Sequence, residues 1–233
     1  LHGFLGTGTS IRKKTSFDAL ARAQGFVAAY PDGERRRWND GRARNRGVDD
    51  VAFIAALIAR LTRDGRADPE RVFLAGRSNG GGMALRIACD RPDLVRGIAV
   101  IATNTLSDFR CAQNGPTPAI FFHGAEDPIA PPEGRPPGHR FEATLSADAT
   151  LALWASRNGC GAVARSQRID RLEDDASAEI LDYGGCEAPL RYVVISGHGH
   201  GWPGARARFR RVMGPSTLEI DAAAESWRFF AGL

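Results

Sequence analysis

An α/β fold, with a mostly parallel sheet covered by helices on both faces, is what this chain predicts, and three observations carry it. Short apolar runs alternate along the sequence with amphipathic helical patterns, which is how β-α-β units read. The 233 residues are enough to bury one large core. Hydrophobic residues make up 43% and charged residues 25%, ordinary globular values that exclude a disordered tail, a collagen-like repeat and a disulfide-dense mini-protein. No apolar run reaches the roughly 18 residues that cross a bilayer. No repeat or linker interrupts the chain, so residues 1–233 read as a single domain.

The elements follow in order. Leu1-His2-Gly3 reads as the end of a strand, so the N-terminal strands and any signal peptide are expected to be missing. Ser16 to Gln24 reads as a helix capped by Ser16 and stopped by Gly25. Phe26–Tyr30 reads as a strand ended by the turn Pro31-Asp32-Gly33. Glu34 to Gly47 is polar, Arg-rich and aperiodic, a loop. From about Asp49 to Thr62, Val51, Ile54, Ile58 and Leu61 share one helical face with Leu57 beside them. Asp49 and Asp50 fall in the first turn, where the helix dipole favours negative charge, so they are structural. Strands are predicted at Arg71–Ala75, Gly97–Ile101, Ala119–Phe122, Ala178–Tyr183 and Leu190–Ile195. Helices are predicted at Asn79–Ala88, Phe141–Arg157 and Asp221–Phe230.

The net charge of +4 comes from arginine, since Lys13 and Lys14 are the only lysines. The basic stretches are Glu34–Arg37 with Arg42, Arg44 and Arg46, and Arg206, Arg208, Arg210 and Arg211. No nucleic-acid motif accompanies them, and they read as solvated loops. The cysteines are Cys89, Cys111, Cys160 and Cys186, with no Cys-x-x-Cys pair to suggest a zinc ribbon or a thioredoxin-like site. The local pairing Cys89–Cys111 with Cys160–Cys186 is expected, which suits an exported protein; four buried thiols are the alternative.

Gly76-Arg77-Ser78-Asn79-Gly80 carries the chemistry. It has the G-x-S-x-G form of a nucleophile elbow, with an apolar strand before it and an amphipathic helix after it. The chain must turn sharply from strand to helix, and the flanking glycines have no Cβ to obstruct that turn. The serine hydroxyl then stands at a helix N-terminus, where dipole and free N–H groups favour developing negative charge. Such a serine needs an acid and then a histidine further along the chain. The loop after Ala119–Phe122 offers Asp127, with Glu126 as the near alternative. The loop after Leu190–Ile195 offers His198 and His200, between which spacing does not choose. The His-x-His pair lacks a nearby Cys or carboxylate to complete a metal set, so no metal is expected. The oxyanion donors are expected to be the backbone N–H groups of Asn79 and Phe4, with Leu5 second to Phe4. His2 is placed in a structural role beside that loop.

These pieces resemble a known family, the esterases grouped with polyhydroxybutyrate depolymerases, which also include feruloyl and acetylxylan esterases. The matching residues are Leu1-His2-Gly3, Gly25-Phe26-Val27, Tyr30-Pro31-Asp32-Gly33, Trp38-Asn39, Asp49-Asp50-Val51, Asp68–Val72 and Gly76–Gly81. Further on are His123-Gly124 with Asp127, Trp154 with Asn158-Gly159-Cys160, Tyr183 with Cys186, and Gly199–Gly204. The resemblance implies an α/β-hydrolase fold, places Ser78 and Asp127 on the family's triad positions, and makes His200 the catalytic histidine. It also implies secretion, extracellular or periplasmic. The chain departs from the pattern at Phe4, where family members often carry Cys, in an upstream core strand that is absent, and in the Pro-rich loop Pro131–Gly138.

The expectation is therefore a serine esterase that forms an acyl-enzyme on Ser78. Its substrate would be a small-molecule or polymeric ester of polyhydroxyalkanoate, feruloyl or acetyl-polysaccharide type. The reaction needs no cofactor, and neither nucleic acid nor membrane is expected as a partner. Trp38, Trp202 and Tyr30 are candidates to line a substrate cleft. The rival readings are a peptidase or acyltransferase on the same fold, and a non-catalytic polymer-binding protein.

Overall fold

Six strands form one sheet: β1 (Phe73–Arg77), β2 (Gly97–Ile101), β3 (Ala119–Gly124), β4 (Val163–Ile169), β5 (Ser177–Tyr183) and β6 (Leu190–Ser196). Their spatial order is β1-β2-β3-β6-β5-β4. The computed structural model describes residues 1–45, 47–111, 115–138, 141–206 and 209–233. β1, β2, β3 and β6 run parallel, while β5 pairs antiparallel with both β6 and β4. The antiparallel end was not foreseen, yet the short connection from Tyr183 to Leu190 permits nothing else, because a parallel pair needs a long crossover.

The central strands are apolar along their whole length because both of their faces are covered. β2 and β3 are buried at every residue. The helices are α1 (Gly8–Arg12), α2 (Phe17–Gln24), α3 (Asp50–Arg63), α4 (Asn79–Asp90), α5 (Ala147–Arg157), α6 (Arg210–Met213) and α7 (Ala222–Ala231). Ile54 of α3, Met83 and Ile87 of α4 and Trp154 of α5 pack with Ile98 and Leu190 on one face. Ile11 of α1, Phe17 of α2 and Phe229 and Phe230 of α7 pack with Ile101, Phe122 and Val193 on the other.

Several expectations need correction. Phe26–Tyr30 is not a strand, because it has no ladder partner. A cavity of about 460 Å³, lined by Leu1, Leu57, Ile58, Trp227 and Phe230 among others, separates this run from β1. The helix expected from Phe141 begins only at Ala147. The residues before it are held extended by bridges from Thr144 to Arg135 and Leu106, and Ser146 then caps the helix by accepting from the Ala149 amide. Ser16 makes no capping bond; its hydroxyl donates instead to Asp221. α1, α6 and the exposed edge strand β4 had no periodic signal to reveal them. Arg42, expected in solvent, is buried against Asp40 and Glu142. Arg46 and Arg208 lie outside the described residues.

Both expected disulfides are present, Cys89–Cys111 and Cys160–Cys186. Cys89 lies in the last turn of α4, so its bond ties the helix that follows the elbow to the segment after β2. Closing the 22-residue separation restricts the unfolded chain, so the double variant Cys89→Ser/Cys111→Ser is expected to lose roughly 3 kcal/mol in urea unfolding. An unchanged midpoint would show that the bond contributes nothing to stability.

Candidate active site

β1 delivers the chain into the elbow. Ser78 sits at φ 56° and ψ −120°, a region that a non-glycine residue occupies only under constraint. The constraint is backbone hydrogen bonding, from the Ser78 amide to the Ile101 carbonyl at 2.7 Å and from the Gly82 amide to the Ser78 carbonyl at 2.9 Å. A Cβ at Gly76 would collide with the Gly80 carbonyl, and one at Gly80 would lie 2.5 Å from the Leu1 carbonyl. These two positions therefore require glycine because of close backbone approach.

The Ser78 hydroxyl is 2.9 Å from His200 Nε2, and His200 Nδ1 is 2.8 Å from Asp127 Oδ2. The Nδ1–H of the imidazole donates to the carboxylate, which leaves Nε2 to accept from the serine. The second carboxylate oxygen, Oδ1, accepts from the Ile129 and Ala130 amides at 2.8 and 2.7 Å. Burial alone would raise the Asp127 pKa. The hydrogen bond and charge of His200, with those two amides, outweigh burial and hold it below the ordinary carboxylate value. Burial pushes the His200 pKa down, against the pull of Asp127, so the ring is neutral at neutral pH.

The alternatives that spacing left open separate in space. Glu126 does not face the imidazole of His200; its carboxylate accepts from the His198 amide at 2.9 Å. His198 turns its Nδ1 to the Thr217 amide at 3.3 Å. His200 is presented by a loop whose amides at Gly199 and His200 donate to the Pro215 and Met213 carbonyls. His123, on β3, donates from Nε2 to the Ala130 carbonyl at 2.8 Å and so braces the loop that carries Asp127.

The loop at the start of the chain lies against the elbow, with Gly3 so close that a Cβ there would be 3.4 Å from the Ser78 Cβ. Among the described residues neither the Phe4 amide nor the Asn79 amide has an acceptor. Asn79 is the first residue of α4, whose N–H has no partner within the helix. The Leu5 amide is already used, donating to the Arg36 carbonyl at 2.8 Å. His2 is structural in its contacts: its Nε2 accepts from the Gly33 amide at 3.0 Å and its Nδ1 donates to the Gly3 carbonyl at 2.9 Å.

The proposed cleft aromatics are elsewhere. Trp38 is fully buried, with its indole N–H on the His2 carbonyl and its own amide and carbonyl clamped by the Asn79 side chain. Its bulk supports the loop that begins at His2 and leaves no face for a substrate. Trp202 packs against Phe17 and, with Tyr30, lines the 460 Å³ cavity, in which none of Ser78, Asp127 and His200 takes part. The aromatic surface near the site is instead Phe4, a residue 44% exposed, with the Arg44 guanidinium over both its ring and that of Phe141. This trio escaped sequence reading because its residues come from three segments far apart in the chain. Among the described residues no group of three His, Cys, Asp or Glu could hold a metal ion.

Comparison with known proteins agrees with this architecture. Residues 15–112 match the prolyl oligopeptidase family. The whole chain aligns at 28% identity with 73% of a protein described as an esterase, NocK, of Nocardia uniformis subsp. tsuyamanensis. It aligns over 90% of its length at 30% identity with feruloyl esterase C of Emericella nidulans, and spans 66% of that protein. The acetyl xylan esterase of Aspergillus awamori superposes over 100% of this chain and 87% of its own with a TM-score of 0.65 at 17% identity, a likeness of fold. Sheet order, elbow and relatives converge: the chain belongs to the esterases of the α/β-hydrolase fold and is a carboxylic ester hydrolase.

Proposed function

We propose that the chain is a serine esterase working through an acyl-enzyme on Ser78. The observation that carries this is the continuous chain of hydrogen bonds from Asp127 through His200 to the Ser78 hydroxyl, at 2.8 and 2.9 Å. Ser78 Oγ attacks the ester carbonyl as His200 Nε2 takes its proton. The Asp127 carboxylate holds the imidazole in the tautomer that accepts at Nε2 and balances the imidazolium. The Phe4 and Asn79 amides hold the oxyanion. His200 then protonates the leaving alcohol, and a water molecule activated by the same base releases the acid.

The base works only when neutral, so activity falls as pH drops through the folded pKa of His200. Burial lowers that pKa, so the acid limb of kcat/KM is expected below about 6.5, the ordinary histidine value. A limb at or above that value would show that burial does not lower the His200 pKa.

The substrate class we favour is an aromatic acyl ester of feruloyl type. The exposed Phe4 ring stands beside the amide assigned to the oxyanion, where an offset-stacked acyl ring adds contact area. The relative in Emericella nidulans is named for the same acyl group. Acetyl-polysaccharide and hydroxybutyrate-oligomer esters complete the test panel; a higher kcat/KM for either than for feruloyl esters rejects the preference. The match to the prolyl oligopeptidase family supports a second reading, a peptidase, which peptide p-nitroanilides would reveal. A Ser78 inert to a fluorophosphonate would instead support a polymer-binding protein. The two disulfides fit export to an oxidising compartment.

A further inference from the structure

Between the glycine and the serine of the elbow stands Arg77, the last residue of β1. Its backbone amide donates to the Leu1 carbonyl at 3.2 Å. Its side chain turns back across the site: Nη1 donates to the backbone carbonyl of His200 at 2.6 Å. Nη2 lies so close to the oxyanion loop that a Cβ at Gly3 would be 2.8 Å from it. Among the described residues no carboxylate comes within ion-pair distance of this guanidinium. A partly buried cation without a carboxylate is costly, and here its hydrogen bond goes to the residue that carries the imidazole.

We infer that Arg77 is a positioning residue for His200, its guanidinium locking the histidine loop, the nucleophile elbow and the oxyanion loop into one rigid unit. The inference rests on the triad reading above. Without this contact the His198–His200 backbone is held by Glu126, which exchanges two hydrogen bonds with His198, and by the Gly199 and His200 amides on Pro215 and Met213, in and just after α6. Of these only the Met213 carbonyl holds the His200 backbone itself, and it belongs to a helix of four residues, so the Arg77 contact is the second anchor on that residue's backbone. A shift of about 1 Å in a reacting group is enough to cost on the order of 100-fold in rate.

The same cation also acts on the charge state of the ring. Asp127 and Ser78 touch the imidazole directly, His123 faces it from β3, and Glu126 and His198 lie on the adjoining loops. Arg210 and Arg211 on α6 are exposed. Of these groups Asp127 favours the imidazolium, whereas Arg77 and His123 disfavour it. Removing the Arg77 charge therefore moves the acid limb of kcat/KM to higher pH, which loss of packing alone does not do.

The test is hydrolysis of p-nitrophenyl acetate across pH by Arg77→Met, Arg77→Gln and Arg77→Lys, with near-UV circular dichroism as the check on folding. Arg77→Met is expected to lower kcat by about 10- to 100-fold, leave KM within about twofold, and move the acid limb upward. Arg77→Gln keeps a donor without the charge, so its limb moves in the same direction while kcat falls less. Arg77→Lys keeps the charge and one donor, so its limb stays at the wild-type position and most of kcat returns. Wild-type kcat and limb in the methionine variant overturn the inference, as does equal loss in all three variants with an unmoved limb. If neither neutral variant folds, Arg77 serves folding and the inference fails. Ser78→Ala, run beside them, separates the two levels: full activity there sinks the triad reading, whereas its loss together with an unaffected Arg77→Met sinks this inference alone.

Discussion

Ser78→Ala is expected to lower kcat/KM for p-nitrophenyl acetate by at least about 10,000-fold, the scale on which serine nucleophiles act. The substitution removes the hydroxyl that His200 activates and leaves the scaffold in place. The backbone that holds Ser78 at φ 56° is tied by its amide to Ile101 and by its carbonyl to Gly82, neither of which involves the side chain. Alanine therefore keeps the elbow, and near-UV circular dichroism should be unchanged. The Phe4 and Asn79 amides survive as well, so a small residual acceleration over water is expected. Fluorophosphonate labelling should vanish with the activity. A correctly folded variant that keeps more than about a tenth of the wild-type rate would remove Ser78 from the mechanism, since such loss is far below what a missing nucleophile causes.

Asp127→Asn should cost nearly as much, about 1,000- to 10,000-fold in kcat, through the tautomer of the histidine. The argument follows from where each oxygen points. Oδ1 accepts two backbone N–H groups, from Ile129 and Ala130, and Oδ2 faces His200 Nδ1. In asparagine the carbonyl must keep the Oδ1 position, because an NH₂ there would face two donors. The NH₂ is then forced toward Nδ1, which must give up its proton to accept. The proton moves to Nε2, the nitrogen that has to receive the serine proton, and the base is lost. Stability should change much less than activity, because each polar group keeps a partner. The measurement is kcat beside a urea unfolding midpoint. A variant with normal kcat would place the orienting acid elsewhere, and Glu126 would be the residue to replace next.

Much of this protein was legible from its residues, for reasons visible in particular elements. β2 and β3 announced themselves as unbroken apolar runs because both of their faces are covered. α3 was legible from its spaced apolar face and the acidic pair at its start, of which Asp49 proves to be the cap, and α2 from the glycine that ends it at φ 72°. The elbow was legible because two glycines are required there by backbone collisions. Other parts carried no such signal. β4 is an exposed edge strand without apolar alternation, and α6 is one turn long. Phe26–Tyr30 has strand composition, yet composition does not supply a ladder partner. Trp38 and Trp202 show that an aromatic residue does not declare whether it will face a ligand or the core.

By itself the sequence determined the class of fold, the position of the elbow serine proposed as nucleophile, the pairing expected of the four cysteines, and short loops holding one acid and one histidine too many. Those are local facts: periodicity, close-packed glycines and the chain order of reactive residues are all written along the backbone. The tertiary structure alone decided which carboxylate meets which imidazole, that the Leu5 amide is taken while that of Phe4 is not, and that Arg77 reaches the His200 carbonyl. Each of those contacts joins residues far apart in the chain, between loops whose relative placement comes from the sheet and not from their own composition.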